Sequence, residues 1–520
     1  MQNKILLIYP TPITEAYIHL GIVGQILQDN GFEVGLIENT FKKPLTPIDI
    51  ANYAKANGYD KVLITMMTID VLMVYETIRR LKKEKIEVTV FGAHPTDCPE
   101  ECIENGADIV IRNEMEGTLL ELCNYWKGTR KLKDILGLTY KSGNTIAHTS
   151  FRPRINLDWL PHPNLELFDK DLFVGEDGLI KGFHRVFTSR GCPGKCTFCD
   201  HKVYEQQMKY HPVEHMLEYV KMVRDKYGIT TFSIADDCFM MNHDRVRQFA
   251  KGMKEMGVMW RANSRANLVN PEILKDMKDS GCHSIAFGIE TADPESLERV
   301  KKFVRLENQF TSVKMAHEAG LEVYACMMTG FPWETEKHVQ SQIDYVKKTW
   351  NDVSLYQVSG SLMPFPGTEI YTEYAKQYGF ENYWLRQEYQ DFGIQIYQNC
   401  MNPLANSCFY QRYLFDDTYI QEEKFFKYSD GYKAKVREFV FLVGEHNLEF
   451  MFPGQKIRQK IILLLARLSA WGYDHFPNLE KKVGGWWFDK FHSVDRRAGI
   501  EKRRDKRRGF VKNKNYTNPN

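Results

Sequence analysis

Three cysteines carry the plainest chemistry in this chain: Cys192, Cys196 and Cys199, spaced C-x3-C-x2-C directly after the strand-like run Val186 to Thr188. Thiols at that spacing on one loop can converge on a single metal centre. Iron–sulfur clusters are usually held by four thiolates. Three close ligands with no fourth nearby therefore point to a [4Fe-4S] cube with one iron left open for a substrate or cofactor. Zinc is the rival reading, with His201 or His211 as a fourth ligand, but structural zinc loops rarely use the C-x3-C spacing. Three ordinary core cysteines fit poorly on so polar a loop.

The elements that must position this loop follow from periodicity. From about Phe183 onward, apolar strands alternate with amphipathic helices, as in a (β/α) barrel or partial barrel. Six strands are predicted: His184 to Thr188, Thr231 to Ala235, Met259 to Asn263, Ser284 to Phe287, Glu322 to Met328 and Ser354 to Ser359. Barrels place their chemistry at the carboxyl ends of the strands. Those ends carry the cysteine loop, then Asp236 to Phe239, Arg265, Gly288 to Thr291, Gly330 to Glu334, and Pro364 to Thr368. Taken singly, such glycines and acidic residues are more often caps and turns than ligands. Cys238, Cys282 and Cys326 lie on or beside these strands and read as small buried hydrophobes.

The N-terminal third shows the same alternation, with strands at Ile5 to Ile8, Val34 to Ile37, Val62 to Thr65, Val88 to Phe91 and Asp108 to Ile111. Gly31 and Gly58 serve as helix stops. The pattern predicts a doubly wound, flavodoxin-like parallel sheet whose ligands sit beyond the strands' carboxyl ends, at Thr65 to Thr68, Gly92 to Thr96 and Arg112 to Gly117. By itself such a sheet could carry flavin, a phosphoacceptor aspartate or nothing. The segment 128–183 reads as a connector, with short strands at Gly137 to Tyr140 and Ile155 to Leu157 around the turn Lys141 to Asn144.

The cysteine loop resembles the signature of the radical S-adenosylmethionine (SAM) enzymes, C-x3-C-x-aromatic-C, with Phe198 as the aromatic. Four ordered strand-end stretches resemble the core of the same family: Asp236 to Phe239 (D-D-x-F), Gly288 to Thr291 (G-I-E-T), Gly330 to Thr335 (G-x-P-x-E-T) and Pro364 to Thr368 (P-x-P-G-T). The domain in front resembles the cobalamin-binding domain of the B12-dependent members, including the Gly92 to Thr96 turn and Glu114 to Gly117, where relatives often read G-E-G-E. The resemblance covers roughly residues 1 to 400.

That resemblance implies a [4Fe-4S] cluster held by Cys192, Cys196 and Cys199, with SAM on the open iron. Phe198, Asp236, Arg265, Glu290 and Gly330 are the implied SAM contacts: Asp236 for the ammonium or ribose, Arg265 for the carboxylate through its planar fork, Glu290 for a hydroxyl pair. Cobalamin is implied near Thr65, Gly92, His94 and Glu114. Where many cobalamin proteins supply a lower axial imidazole, this chain reads Thr11 to Glu15, so the corrin is expected without a lower histidine. His94 is the nearest other donor, and a turn histidine near the corrin is its favoured role. The implied reaction is methylation of an unactivated carbon. Cyclisation or oxidation without methyl transfer is the alternative within enzymes, and a non-catalytic cobalamin- or redox-sensing protein is the alternative outside them. An electron donor such as flavodoxin or ferredoxin is the implied protein partner.

Composition narrows the remainder. The 520 residues leave room for two or three domains, and a net charge of +2 calls for no nucleic acid. The expected division is residues 1–127 (cobalamin-binding-like), 128–183 (connector), 184–375 (barrel core), 376–494 (mainly helical, aromatic-rich) and 495–520 (basic tail). Scattered cysteines, no signal peptide and no apolar run near ~20 residues predict a cytoplasmic protein. Ten basic and two acidic residues between 496 and 514 concentrate +8 there, leaving −6 elsewhere. A solvated tail and attachment to an anionic membrane surface are the two readings of that charge. The second would suit a small-molecule substrate that is lipid-like or a tetrapyrrole. Lys456 to Tyr473 reads as a helix with a wide apolar face.

Overall fold

The structure, a computed structural model, describes residues 3–13, 17–40, 45–169, 184–200, 206–387, 389, 425–451, 453–457, 459–461, 463 and 464. The basic tail, the aromatic cluster Gly484 to Phe488 and residues 465–473 of the predicted C-terminal helix lie outside them.

The first sheet is built from β1 (Lys4–Ile13), β2 (Glu33–Thr40), β3 (Lys61–Thr65), β4 (Glu87–Phe91), β5 (Ile109–Ile111), β6 (Leu138–Ser142) and β7 (Thr145–His148). Their order is β2-β1-β3-β4-β5-β6-β7, and the first five run parallel. Central strands buried on both faces read as unbroken apolar runs. Val62, Leu63 and Ile64 of β3 are fully buried, flanked by Leu6 and Leu7 of β1 and by Val88 and Val90 of β4. The helix Val71–Lys83 covers one side with Val74, Tyr75, Ile78 and Leu81, at helical spacing. The order 2-1-3-4-5 is the doubly wound one expected.

One connector expectation is corrected. The turn around Gly143 joins β6 to β7, and this hairpin adds antiparallel to β5, closing an edge that would otherwise expose unpaired backbone. Ile155 to Leu157 forms no strand, because the Ile155 N–H is taken by the Glu114 carboxylate at 3.2 Å.

The second sheet begins with β8 (His184–Val186). A small antiparallel pair, β9 (Ser189–Arg190) and β10 (Lys209–Tyr210), brackets the cysteine loop. The sheet then continues through β11 (Thr231–Ile234), β12 (Met259–Arg265), β13 (Cys282–Glu290), β14 (Glu322–Thr329) and β15 (Leu355–Ser361). These six strands are parallel and ordered sequentially, with β8 and β15 at opposite edges, so the (β/α)6 barrel is partial. Helices alternate with the strands as predicted, and an edge-to-face aromatic set of Phe239, Phe249 and Trp260 fills the core beneath β12.

The described C-terminal region contributes the helix Asp430–Met451, which lies along the helix Glu336–Lys348 and β15. Buried Asn447 donates to the Tyr356 carbonyl (2.8 Å) and accepts from its N–H (3.0 Å), so a side-chain amide satisfies the open edge of β15. Among the described residues no helix is long and apolar enough to cross a membrane.

Candidate functional site

The cysteine loop leaves β8, at one edge of the second sheet, through a heavily braced turn. Asp236, at the end of β11, accepts from the Thr188 N–H (2.5 Å), the Thr188 hydroxyl (2.6 Å) and the Ser189 hydroxyl (2.6 Å). Arg245 backs the same turn by donating to the Thr188 hydroxyl (2.9 Å) and carbonyl (2.7 Å). Asp236, expected to face SAM, is therefore buried and spent on the protein; burial pushes its carboxyl up despite the three donors. The neighbouring Asp237 is exposed and accepts from the Gly191 N–H at 2.9 Å, which leaves its carboxylate, not that of Asp236, beside the loop. Gly191 sits at φ +90°, and a Cβ there would strike the Gln207 carbonyl, so only glycine lets the chain enter the loop this way.

Within the loop Cys192 is half-buried, Cys196 buried and Cys199 exposed. The Gly194 N–H donates to the Cys192 sulfur at 3.4 Å, and the Arg265 guanidinium donates to the Cys196 sulfur at 3.9 Å. Among the described residues, the three sulfurs do not gather within 4.8 Å of one another. Cys326 is half-buried, not buried as expected, with its thiol turned to Gln357, whereas Cys282 is buried as expected with its thiol turned to Ser284. Cys238 is equally buried, yet its thiol donates to that of Cys192, a contact its position in the sequence did not indicate.

The remaining strand ends border the same loop. Arg265 also donates to the Lys302 carbonyl. Glu290 adopts φ +61°, uncommon for a non-glycine residue, and its carboxylate pairs with the buried Lys302 ammonium at 2.9 Å. Phe198 lies 6.1 Å from Phe331, centroid to centroid, on the strand-end loop after β14. The Gly330 N–H is already used, donating to Glu334 (2.7 Å) and to the Tyr432 hydroxyl (2.9 Å).

Glu334 is buried, and burial pushes its carboxyl up to about 7, outweighing donors from Tyr432, Gly330 and Phe331. A raised carboxylate favours folding below its unfolded value, and that advantage fades as pH rises through about 7. Glu334→Gln, permanently neutral and of the same shape, should remove this slope. Between pH 5 and 8 the wild-type protein should lose roughly 2–3 kcal/mol relative to the variant, read from denaturation midpoints. Parallel pH profiles would refute it.

On the N-terminal sheet, Thr65 ends β3 in register with Phe91, and Gly92 follows at φ +118°, where a Cβ would approach the Met66 carbonyl at 2.7 Å. His94 is fully buried, with Nδ1 3.3 Å from the Thr68 hydroxyl and Nε2 3.2 Å from Glu101. Glu101 also accepts from Tyr75 (2.6 Å) and Trp384 (3.0 Å), so both histidine nitrogens are engaged in a network that ties the sheet to the C-terminal region. Glu114 is likewise committed, to Arg154 at 2.7 Å and the Arg190 guanidinium at 3.6 Å; Arg190 further pairs with Glu116 at 2.7 Å. His94 and Glu114, expected at the corrin, thus spend their side chains on internal contacts.

These ion pairs join the end of β5 to the residue two before Cys192. Asp97, beyond β4, reaches Gly367 beyond β15, where any Cβ would collide with its carboxylate. The carboxyl ends of the two sheets therefore border each other. Sequence reasoning missed Arg154, Arg190 and Lys302, because a lone basic residue carries no signal until a distant carboxylate is placed beside it.

A doubly wound sheet whose strand ends border those of an open parallel barrel, the latter entered through a three-cysteine loop, defines the class of iron–sulfur enzymes with a second cofactor domain in front. Residues 186–346 match the radical SAM superfamily, and residues 17–123 match the B12 binding domain. An uncharacterized methyltransferase of Pyrococcus horikoshii is 35% identical over 344 residues, covering 64% of this chain and 72% of the relative. The bacteriochlorophyllide d C-12(1)-methyltransferase of Chlorobaculum tepidum is 27% identical, covering 61% and 66%. In fold, the chain resembles the radical SAM methyltransferase TsrM of Kitasatospora setae (TM-score 0.60, 18% identity, 72% of this chain and 76% of that one). It also resembles the cobalamin-dependent radical enzyme OxsB (TM-score 0.64, 14% identity, 95% and 76%). The chain belongs to the cobalamin-dependent radical SAM methyltransferase family. Its cofactors are a [4Fe-4S] cluster, SAM and cobalamin.

Proposed function

We propose that this enzyme methylates an unactivated carbon of a small molecule, lipid-like or tetrapyrrolic, where the carboxyl ends of the two sheets meet. The observation that carries this reading is the shared border of their carboxyl ends, sealed by Glu114, Glu116, Arg154 and Arg190. When bound, the cluster supplies the electron that cleaves SAM, and cobalamin supplies the methyl group.

The protein's share is holding and shielding. Cys192, Cys196 and Cys199 hold the cluster, and Asp236 with Arg245 keeps their loop in place. Arg265, beside Cys196, takes the SAM carboxylate, while Asp237 is the carboxylate placed to meet the ammonium. Glu290, held by Lys302, accepts from the ribose hydroxyls, and Phe198 with Phe331 offers an apolar wall to the adenine. Gly330 shapes the strand end and binds through no free amide. Thr65 and Gly92 would border the corrin, while His94 and Glu114, engaged with Thr68, Glu101 and Arg154, act as positioning residues. A flavodoxin or ferredoxin delivers electrons in the cytoplasm. The relative named for bacteriochlorophyllide d supports the tetrapyrrole class.

SAM carrying a deuterated methyl group tests the reaction. Label should appear in the product together with equal amounts of 5′-deoxyadenosine and S-adenosylhomocysteine. Deoxyadenosine with an unlabelled, cyclised or oxidised product would replace methylation by the other radical outcome.

A further inference from the structure

Outside this site, histidines cluster in a cleft where three parts of the chain meet. Ile18 and His19 come from the N-terminal domain, His162 from the connector, His211 from the segment leading into the helix Val213–Tyr227, and His215 from that helix. His215 and Glu218 lie three residues apart on that helix and so share a face. One ligand atom each from His162, His215 and Glu218 lies within 4.8 Å of the others, and the two imidazoles are 4.1 Å apart, centroid to centroid.

The hydrogen bonding suits metal ligation. His162 Nε2 lies 2.9 Å from the His215 carbonyl, which can only accept, so Nε2 carries the proton and Nδ1 keeps its lone pair. His215 has the Leu160 carbonyl as its own acceptor. A backbone carbonyl behind each imidazole is the usual support of a ligating histidine, since it fixes the tautomer and raises basicity. A separate observation points the same way. His211 is 4% exposed, stacks 5.9 Å from His215, and its Nδ1 has no hydrogen-bond partner while its ring lines the cleft.

We propose that His162, His215 and Glu218 bind one Zn²⁺ ion, its fourth position open to the cleft beside His211. Two imidazoles and one carboxylate with an open position form a common zinc donor set. The ion joins the connector to the first helix after the cysteine loop, and so ties the N-terminal domain to the barrel at a second point, remote from the Glu114–Arg154 pair.

The test uses the full-length protein with its cluster reconstituted, titrated with Zn²⁺ against a chromophoric chelator. One equivalent should bind. His162→Gln and Glu218→Gln should each weaken it by at least about tenfold without changing iron per chain or the circular dichroism spectrum. Glu218 is exposed, so its variant keeps the test valid even if His162→Gln folds poorly. X-ray absorption at the zinc edge should show nitrogen and oxygen neighbours at about 2.0–2.1 Å with imidazole scattering. Unchanged affinity in Glu218→Gln, a sulfur shell at about 2.3 Å, or no binding at micromolar Zn²⁺ would each overturn the proposal.

Discussion

The Cys196→Ala protein should assemble no [4Fe-4S] cluster and release no 5′-deoxyadenosine from SAM, a loss of at least about a thousandfold in cleavage rate, or roughly 4 kcal/mol. Cys196 is the buried member of the triad, and its sulfur accepts from the Arg265 guanidinium at 3.9 Å. Two remaining thiols cannot replace a three-point attachment. Cys238 is the hydrogen-bond partner of Cys192, not of Cys196. Cys282→Ala, which removes a buried thiol turned to Ser284, is the matched control and should keep its iron. Iron analysis and product chromatography on both variants decide the matter. A Cys196→Ala protein that kept its cluster would show that these cysteines are not the ligands. A wild-type protein with cluster but without SAM cleavage would favour a sensing role over catalysis.

Glu116→Gln should destabilise the protein by about 3 kcal/mol at neutral pH, because breaking a buried ion pair leaves a charge without its partner. Arg190 and Glu116 are both nearly inaccessible, at 4% each, and meet at 2.7 Å. Burial alone would raise the Glu116 carboxyl, but the adjacent Arg190 charge and hydrogen bond outweigh it and hold it below its ordinary value of 4.5. A carboxyl depressed in the folded state stabilises above its unfolded value and loses that contribution as pH falls through the folded one. The gap between wild type and variant should therefore be full at pH 7 and close as the solution is acidified below about 4. Urea midpoints across that range measure it. Since Arg190 precedes Cys192 by two residues, SAM cleavage should fall as well. Equal stability of the two proteins at pH 7 would show that the pair does not hold the sheets together.

Much of the site was readable because its logic is local. Three thiols that serve one cluster must lie on one loop, so their spacing is written in eight consecutive residues. Strands buried on two faces must be apolar throughout, and helices covering them must repeat with the helical period. The strands and helices of both sheets follow from these rules, as does the expectation that chemistry gathers at strand ends. What each strand-end side chain does was not local. Asp236 looked like a ligand for an ammonium, yet it meets Thr188 and Ser189 across 48 and 47 residues. Glu114 meets Arg154 across 40 residues, and Glu101, which engages His94, meets Trp384 across 283.

The sequence by itself determined that this chain carries a cluster loop, a barrel around it and a second α/β sheet in front, since each rests on short-range spacing or period. Only the tertiary structure decided which polar groups remain for the cofactors. A buried carboxylate or imidazole takes whichever donor or cation the fold brings within 3 Å or so, and leaving it unpaired costs several kcal/mol, roughly. That partner is chosen by packing between distant segments, which no local pattern records.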